Sequence, residues 1–227
     1  MVIEWIVANK ELFKVIYALI ILFVCSFITI KADRLFKISD YQGIRYFRNA
    51  FFFFGLSIVA RFILGPVQTT FPFIFGELTK LFFQFSVLVG TLFLVYSLIW
   101  KKIESQKKHH SLFNLNALIF YLIALIVVGL ESIFNNFLLF YIFEICFLLI
   151  ILIISLKNSL ENKKRSSFLK TYVIAIFIWI IAFLIESLKP IIGNSGNVLI
   201  SIYILNGIFF LLFLGGVRRL SNGKEKR

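Results

Sequence analysis

Apolar residues come in long runs along this chain, separated by short polar stretches rich in lysine and arginine. A membrane-crossing helix needs roughly 20 mostly apolar residues to span about 30 Å of hydrocarbon. Seven runs fit, at about 13–30, 50–64, 81–100, 112–130, 134–156, 168–188 and 198–217. The second is short and can extend back to Arg48 or past Pro66. The pattern predicts an all-α membrane protein, a seven-transmembrane helix bundle forming a single domain over 1–227. The first run has Glu11 and Lys14 at its start and no small-residue cleavage pattern, so it is expected to be a retained helix.

Composition agrees with this reading. The chain has 227 residues, of which 60% are hydrophobic and 15% charged, with a mean hydropathy of +0.96. A soluble domain is nearer 45–50% apolar and about 25% charged. A soluble globule of this length could not hide so much apolar surface. The 30 phenylalanines suit contact with acyl chains better than a soluble core.

A net charge of +13 could signal nucleic-acid binding. Here the charge is confined to segments between apolar runs, which argues for orientation in a bilayer and against nucleic acid. One side holds four clusters: Lys31, Arg34, Lys37, Arg45 and Arg48; Lys101, Lys102, Lys107 and Lys108; Lys157, Lys163, Lys164, Arg165 and Lys170; Arg218, Arg219, Lys224, Lys226 and Arg227. Together they hold 19 of the 24 basic residues. The other side has Lys10, Lys14, Lys80 and Lys189, and Arg61 falls within a run. Excess Lys and Arg mark the cytoplasmic side. A cell-membrane protein with an external N-terminus and a cytoplasmic C-terminus is therefore expected. The basic loops are expected to touch anionic lipid. Trp5 and Trp100 fall near the expected interfaces. The longest connection is expected at about 31–49, and no stretch reads as a soluble kinase, cyclase or binding module.

Helices 1–3 and 5–7 read as two copies, about 11–102 and 133–219, joined by a linker helix at about 112–130. Gly90, Phe93, Leu94 and the pair Lys101-Lys102 recur at one offset as Gly207, Phe210, Leu211 and Arg218-Arg219. The second helix of each half ends at a proline, Pro66 and Pro190, and the first at Lys31 and Lys157. A single linker crossing gives the halves the same orientation, as in parallel repeats about an axis along the membrane normal.

Ionisable groups at membrane depth are costly, which makes them the first functional candidates. Glu144 lies near the middle of the fifth run, as a proton-coupling or ligand-binding carboxylate or as a structural hydrogen-bonding group. Arg61 and Glu186 sit a few residues from the outer ends of equivalent helices. They could pair across the pseudo-two-fold axis or each snorkel to the surface. Asn206 is near the middle of helix 7 beside Gly207, with Tyr203 one turn away. A midplane amide wants a partner and Glu144 lies at similar depth, but the expected role of such a contact is to hold helices together. Tyr172, Trp179 and Glu186 share one face of helix 6, a pocket lining or plain packing.

Other features carry less. Cys25 and Cys146 lie in apolar runs without metal-ligand spacing and read as small hydrophobes. His109 and His110 have no further ligands nearby, so no metal site and no cofactor is expected. Helix 7 contains no lysine, which excludes a retinal Schiff base there. No HExxH, GxSxG or P-loop occurs, which argues against an enzyme. The prolines Pro66, Pro72 and Pro190 fall outside the expected helices, so the broken helices that mark a transporter site are not foreseen.

The stretch from Tyr41-Gln-Gly-Ile-Arg-Tyr-Phe-Arg-Asn to Arg61, within 31–61, resembles a family of uncharacterised archaeal seven-helix membrane proteins. It is also similar to the seven-helix sensor regions that precede some histidine kinases. The three-one-three plan is similar to that of SWEET and PQ-loop carriers, without their Pro-Gln motifs. The expected role is a receptor-like or sensory module without its own effector, binding a small-molecule ligand or a membrane protein partner. The alternatives are a small-solute carrier, proton-coupled through Glu144, and a scaffold subunit.

Overall fold

The structure, a computed structural model, describes residues 10–64, 72–103, 112, 114–134, 138–161, 166–189 and 196–225. Trp5, Pro66, Lys107, Lys108, His109, His110, Lys163, Lys164, Arg165, Pro190, Lys226 and Arg227 lie outside these residues.

Among the described residues there are seven α-helices and no strand: α1 (Lys10–Ser39), α2 (Gln42–Ile58), α3 (Pro72–Ile103), α4 (Leu115–Phe134), α5 (Leu138–Glu161), α6 (Ser166–Ser187) and α7 (Gly196–Glu225). Each apolar run of the sequence has its helix. All but α2 are long and apolar enough to cross a membrane. The α2 helix has 17 α-helical residues and continues as a six-residue π-helix, Val59–Leu64.

The expected long connection at 31–49 is instead helical. α1 runs on to Ser39 and α2 starts at Gln42, leaving a two-residue turn. Asp40 makes that turn with φ 48°, a left-handed conformation that Asp tolerates better than most residues. Its N–H donates to the Phe36 carbonyl and closes α1. The polar stretch stays helical because one face of it is apolar: Ala32, Leu35, Tyr46 and Phe47 are buried. Its polar face is cross-linked, with Asp33 paired to Arg48 and to Lys37. Pro72 also departs from expectation. It is the first residue of α3, where its missing N–H costs nothing.

Six helices form a closed ring. α1 packs against α2, α2 against α3, α3 against α5, α5 against α6, α6 against α7, and α7 against α1. α4 lies outside, across α3 and α5. The centre is aromatic. Trp179 of α6 stacks on Phe209 of α7 at 4.2 Å and meets Phe54 of α2 edge-on at 4.9 Å. Phe51, Phe54, Phe93, Phe209 and Phe213 are fully buried. Gly90 of α3 makes this approach possible, since a Cβ there would lie 2.5 Å from the Phe54 ring. Outward, large side chains such as Phe23, Ile30, Leu125, Ile133 and Ile153 are more than 60% exposed. Continuous apolar exposure on this scale is foreign to soluble monomers and normal against acyl chains. The chain is an integral membrane protein of the helical-bundle type.

Candidate functional site

Near the end of the ring away from the α1–α2 turn, Arg61 of the π-helical segment meets Glu186 of α6, with Nη2 2.5 Å from Oε1. A π-helix carries an extra residue per turn relative to its surroundings and is frequent at functional sites. Here it places Arg61 among aromatic rings, with the guanidinium 4.9 Å from the centre of Phe83 and 5.7 Å from Phe62. Such placement of a guanidinium over rings is favourable. Glu186 is buried, and Lys189, one turn on, lies 3.9 Å from its Oε1. Burial holds the Lys189 ammonium below its ordinary pKa, against the opposing pull of Glu186.

Two cavities meet at this pair. A small chamber of about 40 Å³ lies on the core side. Its walls include Tyr17 of α1, Ser57 and Arg61 of the second helix, Trp179 and Glu186 of α6, and Tyr203 and Asn206 of α7. That volume holds water and little else. A larger, more open vestibule of about 250 Å³ is lined by Arg61, Thr79, Lys80, Phe83, Gln84, Phe140, Tyr141 and Glu186. Arg61, Phe83 and Glu186 line both.

Five of the six sequence candidates therefore converge: Arg61, Glu186, Trp179, Tyr203 and Asn206. Tyr203 stacks on Tyr17 at 4.8 Å, and Asn206 Oδ1 has no hydrogen-bond partner. Glu144 does not join them. It is fully buried on α5, with Oε1 2.5 Å from Thr91 Oγ1 of α3, and it lines neither cavity. The expected Glu144–Asn206 contact is replaced by this α5–α3 contact, because α3 packs on α5.

The sequence reading missed three things. The π-helical segment breaks the regular helix at Arg61, contrary to the expectation of unbroken helices, and it contains no proline or glycine to announce it. Thr91 gave no signal, since a hydroxyl among apolar neighbours looks ordinary. A second polar cluster was also unforeseen: Glu131 of α4 is fully buried, accepting from Gln84 Nε2 at 2.6 Å and lying 3.3 Å from Lys80 Nζ. Glu131 stands one residue past the fourth apolar run. Its pairing with Lys80 was within reach, since Lys80 just precedes the third run and Glu131 just follows the fourth, which puts both on one side of the bundle. Among the described residues no cluster of His, Cys, Asp or Glu could hold a metal ion.

No family sequence model matches the chain, and no solved structure matches it. A protein of Archaeoglobus fulgidus described as "Uncharacterized protein" is 28% identical over 102 residues. The match covers 40% of this chain and 44% of the relative, so the chain spans under half of that protein's length. The chain is similar to an archaeal protein of uncharacterised role.

Proposed function

We propose that this protein is a receptor-like or sensory membrane module that binds a small molecule at the Arg61–Glu186 junction. In this reading the chain crosses the bilayer seven times, α2 with its π-helical end counting as a crossing. The basic loops face the cytoplasm and the ion pair faces outward. The six-helix ring is two three-helix halves, α1–α3 and α5–α7, related by a pseudo-two-fold axis. Two facing pairs support the halves. Phe54 meets Trp179 and Arg61 meets Glu186, and both pairs are separated by the same sequence offset. Residues at equivalent positions can touch only near the axis.

The observation that carries the reading is a partly buried ion pair, Glu186 buried and Arg61 28% exposed, with cavities on both sides. A buried pair that serves only stability is weak stabilisation, since desolvation offsets the attraction. An intramembrane pair at a cavity marks a site. The site bridges α2 and α6, so a ligand there would bias how the halves pack and pass that bias to the loops.

The π-helical interruption favours a second reading, a carrier, since irregular helices line transport sites. Proteoliposomes separate the two, because a carrier accumulates the bound compound in the lumen and a receptor does not. The primary test is thermal unfolding in lipid nanodiscs across a metabolite library. A compound at 100 times its dissociation constant stabilises by about 2.7 kcal/mol. The expected result is stabilisation of the wild type and of Glu144→Gln but not of Arg61→Leu. A library without effect, or equal effect on Arg61→Leu, contradicts the proposal.

A further inference from the structure

The walls of the vestibule carry charge of both signs. Arg61 of the π-helical segment and Lys80 of α3 are cationic, and Glu186 of α6 is anionic. Gln84 of α3 also lines it and is only 4% exposed, yet its Oε1 accepts no hydrogen bond. Its Nε2 is committed to Glu131, so the amide is held with that oxygen as the remaining acceptor. An unsatisfied buried acceptor is costly and calls for a donor.

We propose that the vestibule binds a small zwitterion, a molecule with a carboxylate and an ammonium a few bonds apart. This rests on the receptor-like reading and names the ligand class for that site. Arg61 and Lys80 take the carboxylate; Glu186 and Gln84 Oε1 take the ammonium. One bond joins Arg61 to Glu186 in this structure. A guanidinium has five donors and a carboxylate two oxygens, so each can also turn to a ligand group of opposite charge. The ligand substitutes for the pairing that it loosens. A simple anion would meet Glu186 unfavourably, and a simple cation would meet Arg61 and Lys80. An uncharged apolar molecule would leave Gln84 Oε1 unsatisfied. The volume of about 250 Å³ lies below the usual range for drug-sized ligands, about 300–1,000 Å³, and so sets the ligand as a small metabolite or a headgroup.

Two sources can present this chemistry, a free amino acid or betaine, and a zwitterionic lipid headgroup. Binding is measured by calorimetry and thermal unfolding on the full chain in nanodiscs of phosphatidylglycerol alone. The free probes are betaine and the neutral amino acids. Valine is compared with isovalerate, which lacks the ammonium, and with isobutylamine, which lacks the carboxylate. A parallel set of nanodiscs contains phosphatidylethanolamine. The expected result is binding of a free zwitterion well above both single-charge analogues, or stabilisation by phosphatidylethanolamine in its place. Glu186→Gln should weaken that binding by roughly 30-fold, as for loss of one partner in a buried charge contact. Gln84→Leu leaves the Arg61–Glu186 pair intact; it also removes the Nε2 donation to Glu131, a loss read separately as unfolding without ligand. It should weaken zwitterion binding about fivefold, the scale of one hydrogen bond, without changing the response to isovalerate. Isovalerate or isobutylamine binding as tightly as valine, indifference to Gln84→Leu, or no binding by any zwitterion overturns the proposal. A library compound of another charge class that still requires Arg61 would leave the receptor-like reading standing and remove only the zwitterion.

Discussion

Two buried carboxylates, Glu144 and Glu186, look alike in the sequence and differ in their surroundings. Glu144 is sealed between α5 and α3 with a hydroxyl at one oxygen, and it touches no cavity. Glu186 faces a guanidinium, with a cavity on either side. Depth in the bilayer drew attention to both. Accessible space and a counter-charge single out Glu186. The Glu144–Thr91 contact has the character of interhelical bonding that fixes packing, which averages about 0.6 kcal/mol in a membrane protein. The Arg61–Glu186 contact has the parts that a ligand could use.

The contrast can be broken by substitution. The largest effect is expected from removing one member of the ion pair. Arg61→Leu or Glu186→Leu alone leaves an uncompensated charge and should cost about 3–5 kcal/mol, read as thermal unfolding in nanodiscs. Next comes Gly90→Ala, at about 1–3 kcal/mol, because the added methyl overlaps Phe54 and forces the α2–α3 interface to shift. That variant should loosen Phe54 against Trp179 and, with Trp5 and Trp100 replaced by phenylalanine, broaden the Trp179 fluorescence. Smallest is Thr91→Val, at about 0.6 kcal/mol, with ligand response unchanged. A large loss of ligand response in Thr91→Val would show Glu144 to be part of the site and would erase the distinction.

Much of this was legible in the sequence, for a physical reason. Hydropathy registers the side chains that face lipid, and these occupy long runs on every helix. The same window ends a helix too early wherever a turn is half polar, as at 31–39 and 42–49, where Asp33, Lys37 and Arg48 satisfy one another outside the apolar core. Arg61 and Glu186 could be matched because they stand at nearly the same distance from two prolines, five residues before Pro66 and four before Pro190. The Glu131–Gln84–Lys80 cluster could not be read in the same way. It joins α4 to α3, and no shared sequence landmark points to it. The π-helical turn leaves no compositional trace in Val59–Leu64, which holds no proline or glycine.

The central claim is that Arg61 and Glu186 act as one unit across the junction of α2 and α6. A double-mutant cycle with Arg61→Leu, Glu186→Leu and the combined variant, read as unfolding free energy in nanodiscs, tests this most directly. The account predicts a coupling of about 3 kcal/mol or more, larger than the cost of either single change, so that the double variant is more stable than either single one. Single effects that add within about 0.5 kcal/mol would show two independent residues and contradict the account.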